Sequence, residues 1–245
     1  MAKPHSVFLT ATLALCAASL FADQTEESFS KKIEEPIGLK YLLQLPDGYE
    51  EDSEKLWPLV VFLHGAGERG DDLSKVAIHG PPKKVAAGES FPFILASPQC
   101  PAESWWTDEP VLELIDHLEK AYRVDESRIY LTGLSMGGYG TWYFGTKQPE
   151  RFAALAPVCG GGAPYRMRWI RRKPVWAFHG AKDTAVPVEE SERLISKLKE
   201  MQNQNAKLTV YPEAGHDSWT EAYDTPELYD WLLSHSLKKE TKTQN

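Results

Sequence analysis

Short runs of apolar residues recur along this chain and alternate with segments whose apolar residues fall three and four apart. The runs are Lys40–Leu45, Leu59–Leu63, Phe93–Ala96, Ile129–Thr132, Ala153–Val158, Val175–Phe178 and Leu208–Tyr211. Several are apolar almost throughout, as strands covered on both faces must be. Helices are predicted over Pro81–Ala87, Val111–Tyr122, Gly137–Gln148, Val188–Met201 and Pro226–Ser236. In Val111–Tyr122 the residues Val111, Leu114, Ile115 and Leu118 form one stripe that faces a sheet. Strands alternating with helices predict an α/β fold: a mostly parallel, doubly wound sheet of about eight strands with helices on both faces. In such sheets ligands sit at the carboxyl ends of the strands. The residues that follow each apolar run are therefore where chemistry is expected.

Length and charge narrow the field. A chain of 245 residues allows one domain, placed at residues 23–245. A net charge of −8 argues against nucleic acid or an anionic membrane surface as partner, because both attract basic faces. The N-terminus differs from the rest. Val7–Phe21 is apolar and uncharged, follows Lys3 and His5, and ends on small residues and Ala22. That layout predicts a secretory signal peptide over residues 1–22, hence a secreted or periplasmic protein with no stable membrane association after cleavage. The run is short for a membrane span. Beyond it stand two cysteines, Cys100 and Cys159. In an oxidising compartment they can pair, or they can remain buried and free.

Immediately after Ile129–Thr132 the chain reads Gly133-Leu134-Ser135-Met136-Gly137, a G-x-S-x-G string between a predicted strand and a predicted helix. In that setting a serine sits on a tight turn that lifts its hydroxyl above the sheet. A serine is a weak nucleophile without a base, and in this arrangement acid and then base follow the serine along the chain. His216 lies on the loop after Leu208–Tyr211, whereas His179 ends a strand and His235 falls within the last helix. His216 is the expected base. Asp183, after Val175–Phe178, is the expected acid, with Glu213 and Asp217 as rivals by proximity. Oxyanion donors are expected from the Met136 N–H and from the Gly-rich segment after Leu59–Leu63, at Ala66, with Gly67 as runner-up. His64 is read as a turn residue, because no second ligand stands at metal spacing. This chemistry needs no cofactor and no metal.

The segments Pro58–Asp72, Phe93–Trp106, Gly133–Trp142, Phe178–Pro187 and Gly215-His216 resemble bacterial secreted α/β-hydrolases of the carboxylesterase and feruloyl-esterase-like group, sometimes labelled predicted peptidases. The resemblance implies the α/β-hydrolase fold and hydrolysis of carboxylic esters, on small molecules or linked to polysaccharides. Peptide hydrolysis and acyl transfer to a sugar hydroxyl are the alternatives. Trp105 and Trp106 are candidate substrate contacts, or they pack beneath their loop. Glu68 and Arg69 either rim the pocket or pair with each other. Arg166, Arg168, Arg171 and Arg172 form a basic patch in an acidic protein, within Cys159–Lys173, the one segment long enough to be an insertion.

Overall fold

The computed structural model describes residues 38–106 and 108–238. The expected signal peptide, including Cys16, lies outside the described residues, as does the lead-in that follows it. Seven strands form one sheet: β1 Tyr41–Gln44, β2 Trp57–Leu63, β3 Ile94–Pro98, β4 Val124–Leu134, β5 Ala154–Val158, β6 Val175–Gly180 and β7 Ala206–Tyr211. Their order is β1-β3-β2-β4-β5-β6-β7, with β1 antiparallel to β3 and every other pair parallel. Among the described residues the sheet thus has seven strands where about eight were expected.

Helices α1 Gly80–Ala86, α2 Asp108–Ala121, α3 Met136–Lys147, α4 Glu189–Glu200, α5 Trp219–Tyr223 and α6 Pro226–Leu233 cover the two faces. Strand periodicity sorts the side chains. Leu59, Val61 and Leu63 of β2 join Ile129 and Leu131 of β4 in a core with residues of α2, α3 and α4. The alternate residues Val60, Phe62 and Tyr130 pack on the opposite face with Ala222, Leu228 and Leu232 of α5 and α6. All seven residues of β2 are buried, which explains its unbroken apolar sequence. α5 escaped the sequence reading because five residues are too few to display a helical stripe.

The chain leaves β3, crosses behind β2 and continues outward from β4 through β7. The winding direction therefore reverses between β2 and β4. A crevice opens at the carboxyl ends of strands where this happens. The loop after β2 and the turn after β4 both carry expected site residues.

Cys100 and Cys159 are both buried and free. They follow β3 and β5, which are three places apart in the sheet, roughly 14 Å at the usual strand spacing. A disulfide spans less than about 7 Å between Cα atoms. The two also belong to cores on opposite faces, so a pairing in this fold is ruled out by geometry.

Candidate active site

Ser135 occupies the turn between β4 and α3 with φ 51° and ψ −114°, a backbone conformation that a residue with a side chain adopts only under strain. Its N–H donates to the Val158 carbonyl at 3.0 Å, tying the turn to β5. The flanking glycine is obligatory for packing: a Cβ on Gly137 would stand 1.9 Å from the Leu63 carbonyl oxygen. The first turn of α3 is thereby pressed against the end of β2, and its positive dipole end is directed at Ser135.

Three side chains separated by 81 and 33 residues meet above this turn. Ser135 Oγ lies 2.9 Å from His216 Nε2, and His216 Nδ1 lies 2.7 Å from Asp183 Oδ2. Asp183 Oδ1 accepts the N–H groups of Ala185 and Val186 at 2.9 and 2.8 Å. With Asp183 accepting at Nδ1–H, the free lone pair of the neutral imidazole is at Nε2, facing the hydroxyl. Such a line can move the serine proton onto the ring and hold the imidazolium that results. The Asp183 side chain is fully buried while His216 keeps 28% exposure, so the carboxylate is fixed and the imidazole reaches the surface.

The loops that carry acid and base are laced together. Lys182 N–H donates to the Ala214 carbonyl at 2.9 Å, and a Cβ on Gly180 would stand 2.1 Å from the Gly215 oxygen. Neither rival acid takes part. Glu213 turns to solvent and pairs with Lys182, and Asp217 makes no hydrogen bond to His216 among those found for the described residues. Trp219 meets the His216 ring edge to face at 5.3 Å.

The turn after β2, Ala66–Glu68, lies close to Ser135: a Cβ on Gly65 would be 3.6 Å from Ser135 Cβ. Ala66 opens that turn and Met136 opens α3. The N–H groups of first-turn residues have no acceptor within their own helix. Both nominated donors therefore stand at helical starts beside Ser135.

His64 does more than shape the turn. Its Nδ1–H donates to the Gly65 carbonyl at 2.6 Å, and its Nε2 accepts the Cys100 N–H at 2.9 Å. That pair of bonds requires the neutral ring, and burial pushes its pKa down to about 4. Because a trans peptide points its C=O and N–H in opposite directions, anchoring the Gly65 carbonyl sets the direction of the Ala66 N–H. The sequence signal was a His-Gly pair closing a buried strand.

His179, near the end of β6, also does more than close its strand. It is fully buried, with Nε2 2.9 Å from the Val186 carbonyl and 3.3 Å from Asp183 Oδ2. A carbonyl only accepts, so Nε2 carries the proton, and the acid faces two histidines. His235 lies elsewhere, its backbone carbonyl accepting the Tyr130 hydroxyl. Arg69 and Glu68 do not form an ion pair. Arg69 donates to the carbonyls of Ala66 and Ser104, while the buried Glu68 turns inward with Oε2 3.9 Å from His64 Nδ1.

Donor atoms of Cys159, Asp183 and His216 come within 4.8 Å of one another. They do not resemble a metal shell. Burial raises the Cys159 thiol to about 12, and both Asp183 oxygens already accept N–H groups.

A cavity of about 330 Å³ begins at Met136, the residue after Ser135, and is lined by both Trp105 and Trp106. The two tryptophans differ. Trp106 is buried, with Nε1 donating to the His64 carbonyl at 3.0 Å, so it packs beneath its loop. Trp105 remains 57% exposed at the rim. The Cys159–Lys173 segment forms a single short 3-10 helix, Pro164–Ile170, along the same cavity.

Fold and site together define an α/β-hydrolase. Residues 106–230 match the dienelactone hydrolase family, and the chain belongs to it. It is an ester-hydrolase family by its relatives. The chain is 27% identical over 124 residues to a bifunctional acetylxylan esterase/xylanase of Neocallimastix patriciarum, a match covering 49% of this chain and 17% of that protein. It is 21% identical over 213 residues to a probable feruloyl esterase C of Aspergillus terreus, covering 81% of this chain and 76% of that one. The solved structure of a thermostable esterase superposes with a TM-score of 0.70 at 36% identity, over 81% of this chain and 59% of that chain. Of the first curated relatives it matches, the chain spans less than half the length, 17%, 38% and 44%.

Proposed function

We propose that this protein hydrolyses carboxylic esters through an acyl-enzyme on Ser135, including acyl esters carried by polysaccharides. The observation that carries the reading is the unbroken hydrogen-bonded line from Ser135 Oγ through His216 to the buried Asp183. His216 takes the Ser135 proton as the oxygen attacks the ester carbonyl. The N–H groups of Met136 and Ala66 stabilise the oxyanion, and the imidazolium returns its proton to the leaving alcohol. Water then attacks the acyl carbon, giving a proton to the same ring; the bond to Ser135 Oγ breaks, the imidazolium returns that proton to Oγ, and the carboxylic acid departs. Secretion is part of the proposal and rests on the apolar Val7–Phe21 run behind Lys3 and His5. Among the described residues no helix is long and apolar enough to cross a membrane.

The test is turnover of acetyl, butyryl, feruloyl and peptide substrates by the wild-type chain and by Ser135→Ala. Ester turnover should fall by about 10³-fold or more in the variant, because removal of a nucleophile leaves only the oxyanion site and binding. A fluorophosphonate should label the wild type alone. Peptide cleavage outpacing every ester, or a variant as fast as wild type, overturns the reading.

A further inference from the structure

The cavity beside Ser135 continues as a groove along one face of α3. Met136, Tyr139, Tyr143 and Thr146 follow one another at three- and four-residue spacing along its floor. From Met136 to Thr146 the helix advances roughly 15 Å, far more than a small acyl group occupies. Aromatic rings dominate the walls; the exposed Trp105 and Tyr165 line it, and the exposed Trp169 meets Tyr165 edge to face at 6.3 Å.

At the far end stands Arg166, whose Nε donates to Thr146 Oγ1 at 2.9 Å. Its guanidinium lies 5.0 Å from the Tyr143 ring centre and 5.4 Å from that of Trp169, and Arg168 covers Trp169 at 4.3 Å. Arg171 and Arg172 continue the cluster onto the exposed surface. Among the described residues none of these four arginines lies within ion-pair distance of a carboxylate. Elsewhere in this acidic chain Arg128, Arg151 and Arg193 have such partners, while Arg69 and Arg123 are occupied by backbone carbonyls. Cations without carboxylate partners, two of them set against aromatic rings at the end of a groove that starts beside Ser135, match a ligand that brings its own negative charge.

We propose that this groove and the arginine cluster bind an oligosaccharide carrying uronic acid residues, whose carboxylates meet Arg166 and its neighbours while an ester on the same chain reaches Ser135. The inference rests on the ester-hydrolase reading above and assigns its substrate class. Flat sugar faces suit the aromatic walls. One small dicarboxylate would use Arg166 alone and leave the outer arginines without purpose. A largely neutral chain with scattered carboxylates also suits a protein of net charge −8 better than a nucleic acid charged at every residue.

Calorimetric titration of the Ser135→Ala protein compares xylotetraose, xylotetraose bearing one glucuronic acid, and a single-stranded oligonucleotide. The acidic sugar should bind about tenfold more tightly than the neutral one. That preference should shrink to within about twofold in Arg166→Gln and at about 0.5 M salt, and should fall by less in the exposed-site variant Arg168→Gln. Equal affinity for the two sugars overturns the inference, as does binding of neither, a preference that survives Arg166→Gln in a folded protein, or tighter binding of the oligonucleotide. Turnover of p-nitrophenyl acetate by the wild-type chain separates the two levels. Its absence sinks the ester-hydrolase reading, whereas turnover without any acid preference sinks the subsite alone.

Discussion

Replacing His64 with alanine removes a side chain buried behind the site, yet it should slow turnover. The imidazole holds the Gly65 carbonyl at 2.6 Å and thereby aims the Ala66 N–H, and it is itself held by the Cys100 N–H. A complete oxyanion donor is worth about 2.7–4 kcal/mol, or 10²–10³ in kcat. The loss should be smaller, roughly 10–100-fold, because main-chain anchors of the turn survive the substitution. Trp106 still donates to the residue 64 carbonyl, and Gly70 N–H still donates to the Cys100 carbonyl. The effect should fall on kcat and leave KM nearly unchanged, since the donor matters most once charge develops on the oxygen. The orphaned Cys100 N–H and the vacated volume should also lower stability by about 2–4 kcal/mol. Stopped-rate assays on p-nitrophenyl acetate, with urea melts confirming a folded variant, read both effects. A folded variant with kcat within about twofold of wild type refutes the positioning argument.

The same residue gives a pH signature. Its pKa in the fold is about 4 against 6.5 for the free side chain, so the unfolded chain takes up the proton first. The stability contributed by the neutral ring is complete above the unfolded value and is lost as pH falls from there through about 4, a total of about 3 kcal/mol. Urea midpoints that fall equally in wild type and His64→Ala across that window would contradict it. Asp183→Asn should lower kcat by about 10⁴ while leaving the fold in place, because an amide cannot stabilise the imidazolium; unchanged kcat would exclude the acid role. Burial raises the Cys100 thiol to about 11 and the Cys159 thiol to about 12, so neither should react with a thiol reagent at pH 8 until the protein is denatured. Rapid labelling of the native protein would show the burial to be wrong. Gly137→Ala should destabilise by about 3 kcal/mol or more, since the added carbon collides with backbone that no rotamer change can move. A melting temperature equal to wild type would show that β2 and α3 are not pressed together there.

How much could be read from one dimension depended on how local the cause was. Buried strands such as Leu59–Leu63 announce themselves by unbroken apolar sequence, and the G-x-S-x-G turn declares its geometry through two glycines that nothing larger can replace. Chain order also pointed to His216 rather than His179 or His235, and to Asp183 rather than Glu213 or Asp217, and His216 and Asp183 are the side chains that line up with Ser135. Where the partners are distant, sequence carries no signal. The two histidines that brace the site, His64 and His179, owe their roles to Cys100, Val186 and Asp183, brought near only by the sheet. The separation of Cys100 from Cys159 follows from a strand order that no local pattern encodes. Local sterics and hydrophobic periodicity are written along the chain; proximity across the sheet arises only when the strands assemble, and with it come the aim of the Ala66 N–H and the groove that ends at Arg166.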